Sequence, residues 1–258
     1  MPDKPDYKPG EPIWMDLNTP DGDASRKFYG AVFGWEAGPE DPTMGGYATF
    51  TLGGKNIAGV MPIQEAGQPP VWTLYICTSD ATKTTELAQA AGAQVIAEPM
   101  DVMDFGRMAV FADPTGAVLG VWQPGTHTGS DIVDEPGARC WVELLTRDVA
   151  KAKEFYESLG WESETHAAGE MGGYTEFKVD GQSVAGLMQM PDMIPAQVPA
   201  HWVAYIQVAD VDETAAKITA AGGTIQAPPM DIPPGRFAAA ADPQGATFAI
   251  FKPAEHTH

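Results

Sequence analysis

Two acidic residues, Asp16 and Glu143, lie among aromatic side chains at a spacing that suits chemistry. In Trp14-Met-Asp-Leu17 a strand's alternation puts Trp14 and Asp16 on one face and Met15 and Leu17 on the other. Trp141-Val-Glu-Leu144 repeats the arrangement around Glu143. The same alternation in later strands adds Tyr75 and Trp122 to the first set, and Tyr205 and Phe251 to the second. A carboxyl group in apolar surroundings has its pKa raised, which fits it for general acid–base work, so Asp16 and Glu143 are candidate catalytic groups. All eight residues are candidate ligand contacts: flat rings stack on a planar molecule, and an acid beside them suits an amine. The plain alternative is that the rings fill collapsed cavities.

An internal duplication positions these sets. Met44–Ile63 aligns without gaps on Met171–Met190, with nine of twenty residues identical, including Gly46-Tyr47 and Gly173-Tyr174. Phe28-Tyr29 before Gly34-Trp35 matches Phe155-Tyr156 before Gly160-Trp161, and Asp113-Pro-Thr-Gly116 matches Asp242-Pro-Gln-Gly245. The halves are expected at 10–124 and 138–253, joined by a polar linker at 125–137. Within the first half the pattern predicts a strand at 14–17 and a helix at 22–33 capped by Asp21 or Asp23, with Ala24, Phe28, Ala31 and Val32 on its inner face. Strands follow at 47–52 and 56–62. A second unit then has a strand at 72–77, a helix at 81–91 and strands at 94–97, 107–112 and 118–122. The unit βαβββ thus occurs four times, an α+β architecture with mainly antiparallel pairing.

The chain carries 15 Lys+Arg against 35 Asp+Glu, a formal net charge of −20. That balance disfavours nucleic acid and anionic membrane surfaces as partners and permits a cationic small molecule. No apolar run is long enough to span a membrane, and the N-terminus lacks the apolar core of a signal peptide. Cys77 and Cys140 provide no disulfide framework. A cytoplasmic protein, monomeric or homodimeric, is expected. Arg107 and Arg236, each after glycine, could clamp an anion or pair with acids to fix a loop. Met44, Met61, Met171, Met188 and Met190 could line a rim or pack in the core.

The segments Asp23–Trp35, Gln89–Ala93 and Asp113–Gly116, each repeated in the second half, resemble the vicinal oxygen chelate superfamily of glyoxalases, bleomycin-resistance proteins and dioxygenases. The likeness covers nearly the whole chain. It extends to tandem two-domain glyoxalase-like proteins of antibiotic biosynthesis, with a relative in the daunorubicin cluster. The resemblance implies curved sheets around a cavity, with helices outside, and in the family's enzymes a divalent metal held by four His, Glu or Gln side chains. Counted from the motifs, the ligand positions fall at Trp14, Gly59, Thr73 and Gly120, then at Trp141, Gly186, Val203 and Ala249. None of these side chains chelates such a cation, so no metal or other cofactor is expected, and the small residues are expected to leave room. A displaced site at Asp16, Glu143 and His201 is the metal-bearing alternative. His127 and His166 are expected in loops and His256 and His258 in a tail, as solvated residues.

These observations give a leading expectation: a metal-independent protein binding an aromatic metabolite or antibiotic, cationic or not, for sequestration, resistance or a biosynthetic accessory role. The alternative is a glyoxalase-like enzyme (lyase, isomerase, hydroxylase or dioxygenase) acting on a polyketide-like or dicarbonyl substrate. A third possibility is an interaction module whose scaffold offers only surface.

Overall fold

Each helix begins at an aspartate. In the computed structural model, which describes residues 5–64, 67–167 and 173–254, Asp21, Asp80, Asp148 and Asp210 cap α1 (Gly22–Phe33), α2 (Ala81–Ala90), α3 (Val149–Ser158) and α4 (Val211–Ala220). Each carboxylate accepts the backbone N–H three residues on, at 2.9 or 3.0 Å, satisfying a donor the helix cannot. Gly34 ends α1 at φ 74°, a left-handed cap that suits glycine. α1 buries Ser25, Phe28, Tyr29 and Val32, not the expected Ala24 and Ala31. The inner face is turned toward Tyr29, whose hydroxyl donates to Asp242 in the other half (3.2 Å).

The strands make two eight-stranded sheets, one per half. The first holds β1 (Pro12–Thr19), β2 (Glu36–Ala37), β3 (Ala48–Leu52), β4 (Lys55–Pro62), β5 (Val71–Cys77), β6 (Gln94–Val102), β7 (Gly106–Ala112) and β8 (Val118–Pro124), in the order β2-β3-β4-β1-β5-β8-β7-β6. The second repeats that order with β9 (Arg139–Thr146), β10 (Glu162–Ala167), β11 (Gly173–Val179), β12 (Gln182–Gln189), β13 (His201–Gln207), β14 (Thr224–Ile232), β15 (Gly235–Ala241) and β16 (Thr247–Pro253). Each half is thus two βαβββ units, and the architecture is α+β. The first and last strands of each unit pair in parallel and the remaining pairs are antiparallel. The lead strands β1 and β5 pair at the centre of one sheet, and β9 and β13 do so in the other. The helix-free face of each sheet is therefore built within one half.

β6 runs past the expected end at Ala97 to Val102, and β14 takes the same course through Pro228 and Pro229. Proline survives in both because they are edge strands whose pairing shifts register beside it.

The cores cross the duplication. Met15, Leu17, Phe28 and Phe50 of the first unit pack with Ile206, Ile218, Phe248 and Ile250 of the fourth. Leu74, Phe111 and Leu119 of the second unit pack with Leu144, Phe155 and Phe177 of the third. Among the described residues no helix is long and apolar enough to cross a membrane.

Candidate functional site

On the first half's helix-free face, alternation along β1 brings Trp14 and Asp16 together, with Met15 and Leu17 in the core behind. Asp16 stands opposite Gly59 of β4 and Thr73 of β5, while Trp14 pairs with Tyr75, which in turn pairs with Gly120 of β8. The four counted family positions thus surround one point. Asp16 is only 7% exposed, and its Oδ1 accepts Trp14 Nε1 (2.8 Å) and the Tyr47 hydroxyl (2.9 Å), with a further hydrogen bond from Tyr75. Burial nevertheless outweighs these donors and raises the carboxyl to about 6. The phenols of Tyr47 and Tyr75 are pushed well above their usual range by burial, and so stay protonated donors.

The second half builds the same group with different wiring. Glu143, 5% exposed, accepts the Tyr205 hydroxyl at 2.9 Å and is also hydrogen-bonded by Tyr174. Trp141 Nε1 donates to the Tyr174 hydroxyl (3.0 Å). Burial raises the Glu143 carboxyl above its ordinary range. Tyr205 lies near Phe251 and Phe237, with ring centroids 6.4 and 6.5 Å away.

Exposure separates the halves. Trp14, Tyr75 and Trp122 are buried, whereas their counterparts Trp141, Tyr205 and Phe251 are partly exposed; Tyr47 and Tyr174 are partly exposed alike. The first set is covered by chain outside the repeat. Tyr7 packs against it, where Ile13 of β1 is also buried. The His127 ring stands edge-on between Trp14 and Trp122, with centroids 4.4 and 5.4 Å away, and its carbonyl accepts Trp122 Nε1 at 2.9 Å. The expectation of a solvated loop histidine at 127 is corrected: the linker carries this ring onto the aromatic cluster. A cavity of ≈ 320 Å³ borders this cover at Tyr7, Ile13 and Pro124, and another of ≈ 180 Å³ lies between Phe33 and Lys217; neither reaches Asp16 or Glu143.

The expected room at the lost ligand positions is also corrected. A Cβ on Gly59 would collide with Asp16 Oδ1 and the Tyr47 hydroxyl, and one on Gly120 with the Tyr75 ring. Gly186 is likewise filled by the Tyr174 hydroxyl. Tyrosines occupy the volume beside each carboxylate. The donors required for the family's divalent metal are missing, and the space is taken by protein, so these residues do not fit that ion. Nor does the displaced set assemble. Asp16 belongs to the first sheet, Glu143 and His201 to the second, and His201 Nδ1 lies 2.9 Å from the Pro199 carbonyl. Among the described residues no three His, Cys, Asp or Glu side chains come together to hold a metal.

The other candidates fall into structural roles. Arg107 pairs with Asp101 (2.7 Å) and Arg236 with Asp212 (2.8 Å) and Asp231 (2.9 Å), so each arginine ties down local chain. Met190 is buried; Met44, Met61 and Met188 are partly exposed; Met171, His256 and His258 lie outside the described residues. His166 is exposed, 3.9 Å from Glu176. Burial pushes the Cys77 thiol up to about 11 and Cys140 to about 12, so neither is a ready nucleophile. Tyr47 and Tyr174 are the contributors that strand alternation alone misses. Their signal was their identity within the longest block of the repeat.

The model of the Glyoxalase/Bleomycin resistance protein/Dioxygenase superfamily matches residues 13–121 and again 140–250. Mycobacterium tuberculosis (strain CDC 1551 / Oshkosh) has a relative with a glyoxylase name, CFP32, 41% identical over 98% of this chain and 99% of that protein. The anthracycline biosynthesis protein DauV of Streptomyces sp. (strain C5) is 38% identical over 95% of this chain and 94% of its own. Among solved structures, the Mn(II)-bound glyoxalase from Novosphingobium aromaticivorans superposes with a TM-score of 0.66 at 18% identity, over 95% of this chain and 82% of that one. The 2,3-dioxygenase LapB from Pseudomonas sp. KL28 gives 0.65 at 16% identity, over 97% and 95%. At such identities these two establish the shared fold alone.

Proposed function

This chain belongs to the Glyoxalase/Bleomycin resistance protein/Dioxygenase superfamily, and on that premise we propose that it binds a planar aromatic metabolite or antibiotic on the helix-free face of its second half, with no metal at the family's ligand positions. The observation that carries the reading is the asymmetry of the duplicated aromatic set, covered by the chain in one half and partly exposed in the other. Rings that retain contact with solvent offer stacking area to a flat ligand. A relative named for anthracycline biosynthesis agrees with such a ligand. The role is sequestration, resistance or hand-over within a biosynthetic sequence. On this reading the protein works in the cytoplasm, as a monomer or homodimer, with Cys77 and Cys140 free.

Trp141 gives the test a built-in reporter, because it alone of the seven tryptophans is not buried. Titration with planar two- to four-ring compounds is expected to change Trp141 emission and raise the melting temperature. Phe251→Ala is expected to weaken binding about tenfold, in line with a lost ring contact. A panel that moves neither fluorescence nor melting temperature rejects the reading.

A second reading is metal-free acid–base catalysis on a polyketide-like or dicarbonyl substrate. It is favoured by the upward shift of Glu143, which brings a carboxyl nearer the pH at which it can both take and give a proton. Turnover that survives Glu143→Gln unchanged would reject it.

A further inference from the structure

We propose that the ligand of the second half's helix-free face carries a protonated amine, and that Glu143 is its counter-ion. The inference rests on the binding reading above and adds the charge of what is bound. Its first support is the rewiring between the halves. Asp16 collects hydrogen bonds from Trp14, Tyr47 and Tyr75 in a set whose Trp14, Tyr75 and Trp122 rings are buried. Trp14 Nε1 is shared between Asp16 and the Tyr47 hydroxyl (3.1 Å), whereas the corresponding Trp141 indole keeps only the bond to its tyrosine, Tyr174, leaving Glu143 with the hydroxyls of Tyr205 and Tyr174. Glu143 thus has one donor fewer and an aromatic rim in contact with solvent.

The second support is the missing cation. Among the described residues the ion pairs within this half join Lys153 to Glu157, His166 to Glu176, Lys178 to Glu164, Lys217 to Glu213 and Arg236 to Asp212 and Asp231, and none includes Glu143. Among the described residues no Lys, Arg or His forms an ion pair with Glu143. A buried carboxylate is costly to leave without a positive partner, and the described residues supply none.

The third support is the wall. Tyr205, which donates to the acid, stands beside the rings of Phe237 and Phe251, and Trp141 lies two residues before Glu143 on β9; such rings attract an ammonium group as well as stacking on the ring that carries it. Tyr174 and Tyr205 keep their protons, because burial raises both phenols. They therefore donate to the carboxylate and leave the cation's place to the ligand. A net charge of −20 favours the approach of cations to the whole molecule, but among the described residues only Glu143 meets these conditions.

Three probes of one shape test this: 2-naphthylmethylammonium, 2-naphthalenemethanol and 2-naphthoate. They are titrated against the full chain at about 0.3 M salt, where long-range attraction is screened, with Trp141 emission and calorimetry as readouts. The ammonium is expected to bind at least tenfold more tightly than the alcohol, and the carboxylate most weakly. In Glu143→Gln the ammonium's advantage over the alcohol is expected to fall below twofold, with an unchanged dichroism spectrum and cooperative melting certifying an intact fold. Alcohol binding as tight as ammonium binding in the wild type overturns the inference and leaves the aromatic reading standing. An ammonium preference that persists in Glu143→Gln also overturns it, assigning the preference to net charge. If none of the three binds, the aromatic reading falls together with this one.

Discussion

At the scale of single residues, burial governs the two candidate carboxylates, Asp16 and Glu143. Asp16 is raised to about 6, so between the ordinary Asp value of 3.8 and that figure the folded chain holds a proton that the unfolded chain has released. Stability from this group is therefore greatest at low pH and is lost as pH rises from about 4 to about 6. The loss amounts to roughly 3 kcal/mol at 1.36 kcal/mol per pKa unit. Asp16→Asn cannot titrate. The stability of the wild type relative to this variant is expected to fall by that order between pH 4 and pH 7, as urea unfolding at each pH would measure. A difference that is flat with pH would refute the assignment. Alternation on β1 and β9 made both acids legible as residues of the helix-free face. It did not reveal Tyr47 and Tyr174, which approach from neighbouring strands to fill the space beside Gly59 and Gly186. Glycine at a ligand position reads as room in a sequence; a ring from another strand decides otherwise.

At the scale of elements, local signals were strong. Each helix start carries an aspartate whose carboxylate accepts the N–H three residues on, and only α1's was singled out from sequence. Asp80 serves as a clean example, because its carboxylate bonds the Lys83 N–H at 2.9 Å on an exposed helix end. Asp80→Ala is expected to cost about 1 kcal/mol of global stability without altering ligand binding, as denaturation midpoints would report. The edge strands were harder to read. The expected strand stopped at Ala97, short of Pro99, and only the position of β6 at the rim of the sheet explains why pairing with β7 resumes beyond that proline.

At the scale of the whole molecule, sheets form within each half while cores form between halves. The first unit packs on the fourth and the second on the third. Polar contacts lock the same seam: Tyr29 donates to Asp242 (3.2 Å) and Tyr156 to Asp113 (2.9 Å). Neither half buries its helix-bearing face alone, so the chain is expected to unfold in one cooperative transition, with near- and far-ultraviolet dichroism tracing one curve in urea. Two separated transitions would show that the halves are independent. The sequence by itself determined the four repeated units, a capped start for α1, the two acids with their aromatic neighbours, and the loss of chelating side chains, because each of these is written in residue type and short-range spacing. Only the tertiary structure decided which units share a sheet, which share a core, that tyrosines fill the former ligand volume, and that His127 and the N-terminal segment cover one aromatic set while its twin keeps a partly exposed face. Those outcomes depend on contacts between residues far apart in the chain, and the short-range spacing of residue types carries no record of such contacts.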